Sequence, residues 1–321
     1  MNAKSARIIK TAIKVAIAVL AYAYIAYKVA TSPDIGELPS YFARIDTTRG
    51  ILLAIILLVM PMNWLLETWK WRNLIKSEQN IGFGRCLKAV MTGVTVGTLT
   101  PNRVGEFAGR VLFVEKENRT KASYLTIFGD TAQFCATLIF GIIGLIAIGS
   151  MHNESVPTGI LTAIGASCTI IAIIVYMKFD KIVTALSNTK FAQKRLAKYI
   201  PQCEISNKLK LTTISMSMLR YFVFSVQFFL CLRFFGIDIA ASDAFAAISS
   251  TYICTYLIPS IAAAELGIRT SFAIYFIGIF TSQETAITLA SLLLYIINVG
   301  IPIITGGILL IGSNKTKNGN E

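Results

Sequence analysis

Charge is scarce in this sequence: only 15% of its 321 residues are Asp, Glu, Lys or Arg, against 55% hydrophobic. Such a chain cannot clothe a water-soluble surface, so a soluble enzyme is excluded and a polytopic membrane protein is expected. Histidine is nearly missing too. His152 stands alone in the short polar stretch Ser150–Pro157, which leaves no material for a Ser/His/Asp triad or a zinc site. The six cysteines form no framework, since Cys86 and Cys203 fall in basic polar stretches and Cys135, Cys168, Cys231 and Cys254 in apolar ones, where packing is their role. No Walker motif occurs, so any drive for transport must come from a gradient, substrate flux or another protein. No cofactor is expected.

What is present is a surplus of basic residues, 30 Lys and Arg against 17 Asp and Glu, and its distribution argues against nucleic acid. With apolar spans placed at 8–30, 50–69, 122–149, 158–177, 211–236 and 285–311, the polar stretches alternate in basicity. Lys4, Arg7, Lys10 and Lys14 open the first span, Lys70 to Lys88 follow the second, Arg103 to Lys121 precede the third, and eight more basic residues lie between Lys178 and Lys210. The opposite side holds only Lys28, Arg44, Arg49, Arg233 and Arg269. The positive-inside rule then puts both termini in the cytoplasm of a multi-pass cell-membrane protein, and the excess charge is topological, with a secondary attraction to anionic headgroups. The first span begins basic like a signal peptide, but its apolar run is longer than an h-region and reads as an uncleaved anchor.

A Pro…Glu…Arg theme occurs twice, in TPNRVGEFAGR (Thr100–Arg110) and IPSIAAAELGIR (Ile258–Arg269). In both, Glu precedes Arg by four residues (Glu106 and Arg110, Glu265 and Arg269), so on a helix each acid reaches its own base. The flanking apolar runs are too short to cross a bilayer, for example the 12 uncharged residues Ala89–Thr100. Each copy is therefore expected to be a re-entrant or broken-helix hairpin, hinged at Pro101 and Gly105 in the first and at Pro259 and Gly267 in the second. Gly93 with Gly97, and Gly105 with Gly109, are small-xxx-small pairs that let the arms of the first hairpin close on each other.

The expected architecture is all-α: a single transmembrane domain over 1–321, with about six transmembrane helices and two hairpins arranged as an inverted-topology repeat. Residues 1–149 form one repeat and 150–314 the other, each ordered span, span, hairpin, span, with a cytoplasmic loop at 178–210. Such repeats place binding sites near the midplane, where half-helix ends meet. Arg103, Glu106, Arg110, Asp130, Arg220, Glu265 and Arg269 fall within or beside segments too apolar to keep them solvated, which makes them functional candidates. The bland alternative for the Glu/Arg pairs is mutual neutralisation. Arg103 has no local acid, and a planar guanidinium beside a re-entrant tip suits a phosphate. Asp130 is read as a partner for Arg103 or a protonatable site. In NWLLETWKWRN (Asn63–Asn73), the Trp, Lys and Arg residues read as an interfacial belt, while Asn63 and Glu67, four apart and deeper, are candidates to face the cavity.

At these residues the chain resembles the transmembrane, flippase-like region of the lysylphosphatidylglycerol synthase family. The likeness is carried by TPNRVGEFAGR with its core Pro101, Arg103, Gly105 and Glu106, by the preceding NWLLETWKWRNL helix, and by the following span with Asp130, and it covers nearly the whole chain. The resemblance implies movement of lipid between leaflets. Full-length synthases add a soluble aminoacyltransferase domain; this sequence ends at Glu321, soon after its last apolar segment, so the translocating part is implied and not the synthase activity. Here the Arg after Glu106 lies four residues on, where family members often have it at three, and the second copy lacks a counterpart of Arg103, so the hairpins are expected to do different jobs.

The reading is a non-enzymatic lipid transporter in which Arg103, Arg110 and Arg269 engage a phosphate of an anionic membrane phospholipid, and Glu106 and Glu265 hold those arginines or meet a cationic headgroup. A lipid-synthesising enzyme or a second copy of the chain are the candidate protein partners. Rival readings are a membrane-embedded lipid-modifying enzyme using Glu106 or Asp130 as acid or base, a small-solute or ion transporter on the same repeat, and a scaffolding subunit whose charges only glue helices.

Overall fold

The computed structural model describes residues 46–98, 100, 103–152, 158–188, 204–258 and 262–312, together with Pro39. All regular structure among these residues is helical, without a strand: α1 (Thr47–Ile75), α2 (Phe83–Gly97), α3 (Gly105–Val111), α4 (Arg119–His152), α5 (Thr158–Met177), α6 (Phe179–Ser187), α7 (Asn207–Phe234), α8 (Ala241–Leu257), α9 (Ala262–Ile277), α10 (Glu284–Tyr295) and α11 (Ile301–Gly312).

Among the described residues, α1, α4, α7 and the run from α10 into α11 are long and apolar enough to cross a membrane. The bent pair α5 and α6, which turns by 69° between its halves, makes a fifth. The expected segment 8–30 lies outside the described residues, and the loop expected over 178–210 is helical in part, since α6 and the start of α7 fall in it. Lys210 of α7 donates to Asp180 of α6 at 2.7 Å and to the carbonyl of Met177 at 2.7 Å, fastening that bend to the bundle.

The helices are inside-out relative to a water-soluble protein. Along α1, Ile51, Leu57, Leu58, Met62 and Leu65 are exposed while Asn63, Glu67 and Lys70 are buried. These three polar residues follow i, i+4, i+7 spacing, so a single stripe of the helix faces inward. Aliphatic side chains outward and charges inward is the arrangement that hydrocarbon solvent demands. The helix starts where Asp46 accepts a hydrogen bond from the Arg49 amide at 2.8 Å, an N-cap.

Two short helix pairs are wedged among the long helices. In the first, α2 ends at Gly97, Thr100 caps the break by accepting from the Gly105 amide at 2.7 Å, and α3 begins there. The arms touch backbone to backbone: a Cβ on Gly109 would lie 2.7 Å from Gly93 Cα. Only glycine permits that approach. In the second pair, α8 ends at Leu257 and α9 begins at Ala262. Pro101 and Pro259, two of the expected hinges, lie outside the described residues; Gly105 does open α3, but Gly267 sits inside α9 with nothing near its missing side chain, so it is no hinge. The arms exchange partners across the bundle. α2 packs on α11, where Thr95 donates to the Ile303 carbonyl at 3.1 Å, and α8 packs on α4, where Gly144 lies against Ser249.

The last span is not a uniform helix. Residues Ile296–Gly300 form a π-turn between α10 and α11. Pro302 explains it: it has no N–H for the Asn298 carbonyl four residues back, and its ring crowds that carbonyl, so the helix widens locally. Asn298 is the polar residue carried on this widened turn.

Candidate functional site

Two charged networks meet between α1, the broken pairs and α7. The first is built around Glu67, whose side chain is 2% exposed. Lys70 lies 2.8 Å from its Oε2, Arg110 donates to its Oε1 at 2.8 Å, and Arg220 approaches Oε2 at 3.3 Å. Arg110 also reaches Glu106 at 3.0 Å, the expected i,i+4 pair. Arg220 is fixed further: its Nε donates to Asn63 Oδ1 at 2.8 Å, its NH1 to Gln133 Oε1 at 3.2 Å, and its guanidinium lies over the Trp64 ring at 5.5 Å. Asn63 then donates to Asn298 at 3.2 Å, Asn298 to Gln227 at 2.7 Å, and Gln227 to the Ile56 carbonyl at 2.8 Å. This chain of amides orients Arg220 from behind.

The second network is built around Glu265 in the first turn of α9, where the helix N-terminus favours an anion. Arg103 grips it with two nitrogens, Nε to Oε2 at 3.0 Å and NH2 to Oε1 at 3.0 Å. Arg269 pairs with the same carboxylate from its own helix and lies over the Tyr252 ring at 5.8 Å. Arg103 has the left-handed backbone angle φ 56°, a strained position for a residue with a side chain. It sits in the break between α2 and α3, so the Arg103–Glu265 fork ties one broken pair to the other.

These groups surround a cavity of about 270 Å³. Its polar wall includes Asn63, Gln133, Asn298, Arg103, Arg220, Glu265 and Arg269, and its apolar lining includes the aromatic rings of Trp64, Phe224, Tyr252 and Tyr256. Three guanidiniums face one carboxylate, so the lining carries a formal excess of two positive charges. Donor capacity remains as well. Arg220 NH2 has no partner among the described residues, and Arg269 Nε is buried without an acceptor.

Of the charged and polar residues singled out from sequence, Arg103, Arg220, Glu265, Arg269 and Asn63 line this cavity; Glu67, Glu106, Arg110 and Asp130 do not. Arg103 is neither unpaired nor without a local acid: Glu265, 162 residues on, takes its fork, and Glu106, three residues on, lies 3.9 Å from its NH1. Its partner is Glu265 and not Asp130, whose carboxylate receives no hydrogen bond or ion pair from the other described residues. Arg110 is spent on Glu67 and Glu106 behind the wall. Of the tryptophans read as an interfacial belt, only Trp69 is exposed. Trp64 and Trp71 are buried, Trp71 donating to Thr126 at 2.9 Å, and Lys70 is buried with Glu67. Sequence reasoning missed Asn298 and Gln227 altogether. Their one signal was an isolated amide in each of two apolar runs, YIINVGIP and FSVQFFL.

No individually curated protein matches the chain at a significant level. The family comparison is different: the profile described as "Lysylphosphatidylglycerol synthase TM region" matches residues 11–306, which takes in both broken helix pairs, both charged networks and every helix that lines the cavity. This multi-pass integral membrane protein therefore belongs to the lysylphosphatidylglycerol synthase transmembrane-region family.

Proposed function

We propose that this chain is a non-enzymatic transporter that moves a phospholipid between the leaflets of the cell membrane, with both termini in the cytoplasm. The observation that carries this reading is a cavity with an excess of guanidinium charge, set between two broken helix pairs inside a bundle whose outer surface is aliphatic. Its chemistry suits an anionic phosphate headgroup, while acyl chains stay in the surrounding hydrocarbon. Arg103, Arg220 and Arg269 are the headgroup residues in this reading; Glu67, Lys70, Arg110 and Glu106 hold the scaffold behind them.

The inverted-repeat reading belongs here as well. It matches α1, α2–α3 and α4 with α7, α8–α9 and α10–α11, and it draws support from the exchanged packing of α2 on α11 and of α8 on α4. Residues 1–149 and 150–314 are then the two halves, entered by their hairpins from opposite faces. A transporter is favoured over a lipid-modifying enzyme because Glu106 and Asp130, the candidate acid and base of that reading, are absent from the cavity wall.

Purified full-length chain in vesicles containing a fluorescent short-chain phosphatidylglycerol in both leaflets tests the reading. Quenching by a membrane-impermeant reductant should proceed beyond the outer-leaflet fraction at a rate that scales with protein. A rate equal to that of protein-free vesicles under every imposed gradient overturns it.

A further inference from the structure

We infer that Glu265 is a built-in stand-in for the ligand's anionic group: the phosphate displaces its carboxylate from Arg103 and Arg269, and so unfastens the two broken helix pairs from each other. This rests on the headgroup reading of the cavity and adds what the resting site holds in place of a ligand.

The geometry is that of substrate mimicry. A guanidinium that offers two parallel N–H donors reads carboxylate and phosphate oxygens alike. Arg103 makes this fork with Glu265, with Nε at 3.0 Å and NH2 at 2.9 and 3.0 Å from the two oxygens. Arg269 adds a second guanidinium to the same carboxylate and keeps its Nε unpartnered. Two arginines converging on one small anion at a cavity wall is already a formed oxyanion site; the occupant belongs to the protein itself.

The other carboxylate held by several cations shows what a purely structural version looks like. Glu67 is 2% exposed, is absent from the cavity wall and is clamped by Lys70, Arg110 and Arg220 from two neighbouring helices and its own. The Glu265 side chain is 15% exposed and its partner Arg103 27%, so the bond that joins the hairpins is the one a ligand can reach. Arg220 completes the site. Its position is set by Asn63, Gln133 and Glu67, and its NH2 edge has no partner among the described residues, so it can engage the incoming anion before Glu265 lets go. As the phosphate takes over the Arg103 fork, Arg103 and the strained segment it occupies lose their tie to α9.

The experiment measures binding of dioctanoyl phosphatidylglycerol, dioctanoylglycerol and inorganic phosphate to the detergent-purified full chain, by native mass spectrometry for the lipids and calorimetry for phosphate. Because the amide of Glu265→Gln no longer competes as an anion, that variant should bind phosphatidylglycerol roughly tenfold more tightly than wild type, with no gain for dioctanoylglycerol. In vesicles the same variant should transport more slowly, since nothing displaces the bound anion. If Glu265→Gln is not monodisperse, Glu265→Asp carries the test: its carboxylate is withdrawn by one methylene and should give a gain of a few fold. Unchanged or weaker phosphatidylglycerol binding in these variants, with binding lost in Arg103→Ala, makes Glu265 a strut and overturns the stand-in while leaving the headgroup reading intact. A gain confined to inorganic phosphate supports the stand-in and removes the lipid. Absence of binding in wild type and all variants overturns both.

Discussion

The two Glu/Arg pairs share a spacing and differ in fate. Glu106 and Arg110 belong to a short helix pressed against α2, and Arg110 is drawn on to the buried Glu67, so this pair faces the scaffold and not the cavity. Glu265 and Arg269 open on the cavity, and their third partner is Arg103 from the other broken pair. Spacing of four residues guarantees contact within a helix. Whether that contact is scaffold or site depends on which neighbour arrives from elsewhere in the chain.

The sharpest way to break the comparison is topological, because the proposed repeat makes the two broken pairs enter from opposite faces. Cysteines introduced at Gly84 and Ser242, both exposed at the entrance ends of α2 and α8, should react with an impermeant maleimide from opposite sides of the membrane. Ser242→Cys is expected to label from outside and Gly84→Cys only after permeabilisation. Labelling of both from one face removes the inverted repeat.

Next in size is the energetic contrast between the networks. Glu67→Gln keeps the side-chain volume but leaves Lys70, Arg110 and Arg220 facing one another in a buried site, which costs about 3 kcal/mol or more. Glu265→Gln lets its arginines turn toward the cavity and should cost about 1 kcal/mol. Thermal melts of the two variants in detergent measure the difference; equal losses would mean that both networks are scaffold.

A smaller contrast separates the glycines. In Gly109→Ala the new methyl lies 2.7 Å from Gly93 Cα, an overpacking cost of about 1 to 3 kcal/mol. Gly267→Ala meets nothing within 4 Å inside α9 and should be neutral or slightly stabilising. A stable Gly267→Ala protein that has lost transport would restore it as a hinge.

The smallest expected change is chemical. Arg103→Lys preserves charge but loses the fork, so affinity for short-chain phosphatidylglycerol should fall about tenfold while the melting temperature hardly moves. Arg110→Lys should do the reverse, lowering stability with little effect on binding, since Arg110 does not touch the cavity. Native mass spectrometry and melts on the same preparations separate the two.

Much of this was legible beforehand because hydrocarbon imposes simple rules. The segments expected at 50–69, 122–149, 158–177, 211–236 and 285–311 fall on α1, α4, α5, α7 and the α10–α11 run, since length and hydropathy alone mark such helices. The short arms around the two motifs were likewise readable from apolar runs too brief to span. The partner of Arg103 was not readable: a bond between residues 162 positions apart leaves no local pattern. Nor was the burial of Lys70 and Trp71. The same Trp-Lys-Trp-Arg string serves an interfacial belt or an interior stripe, and only the neighbouring helices decide which.

The sequence by itself determined the solvent, the helical class, the two short broken segments and the pairing of each Glu with the Arg four residues on, because each follows from composition or from helical periodicity. Tertiary structure decided that Glu67 gathers three cations, that Asn298 on its widened turn helps orient Arg220, and that Glu265 closes a bond between the two broken pairs. Those contacts join residues far apart in the chain, and their geometry exists only once packing has brought the helices together.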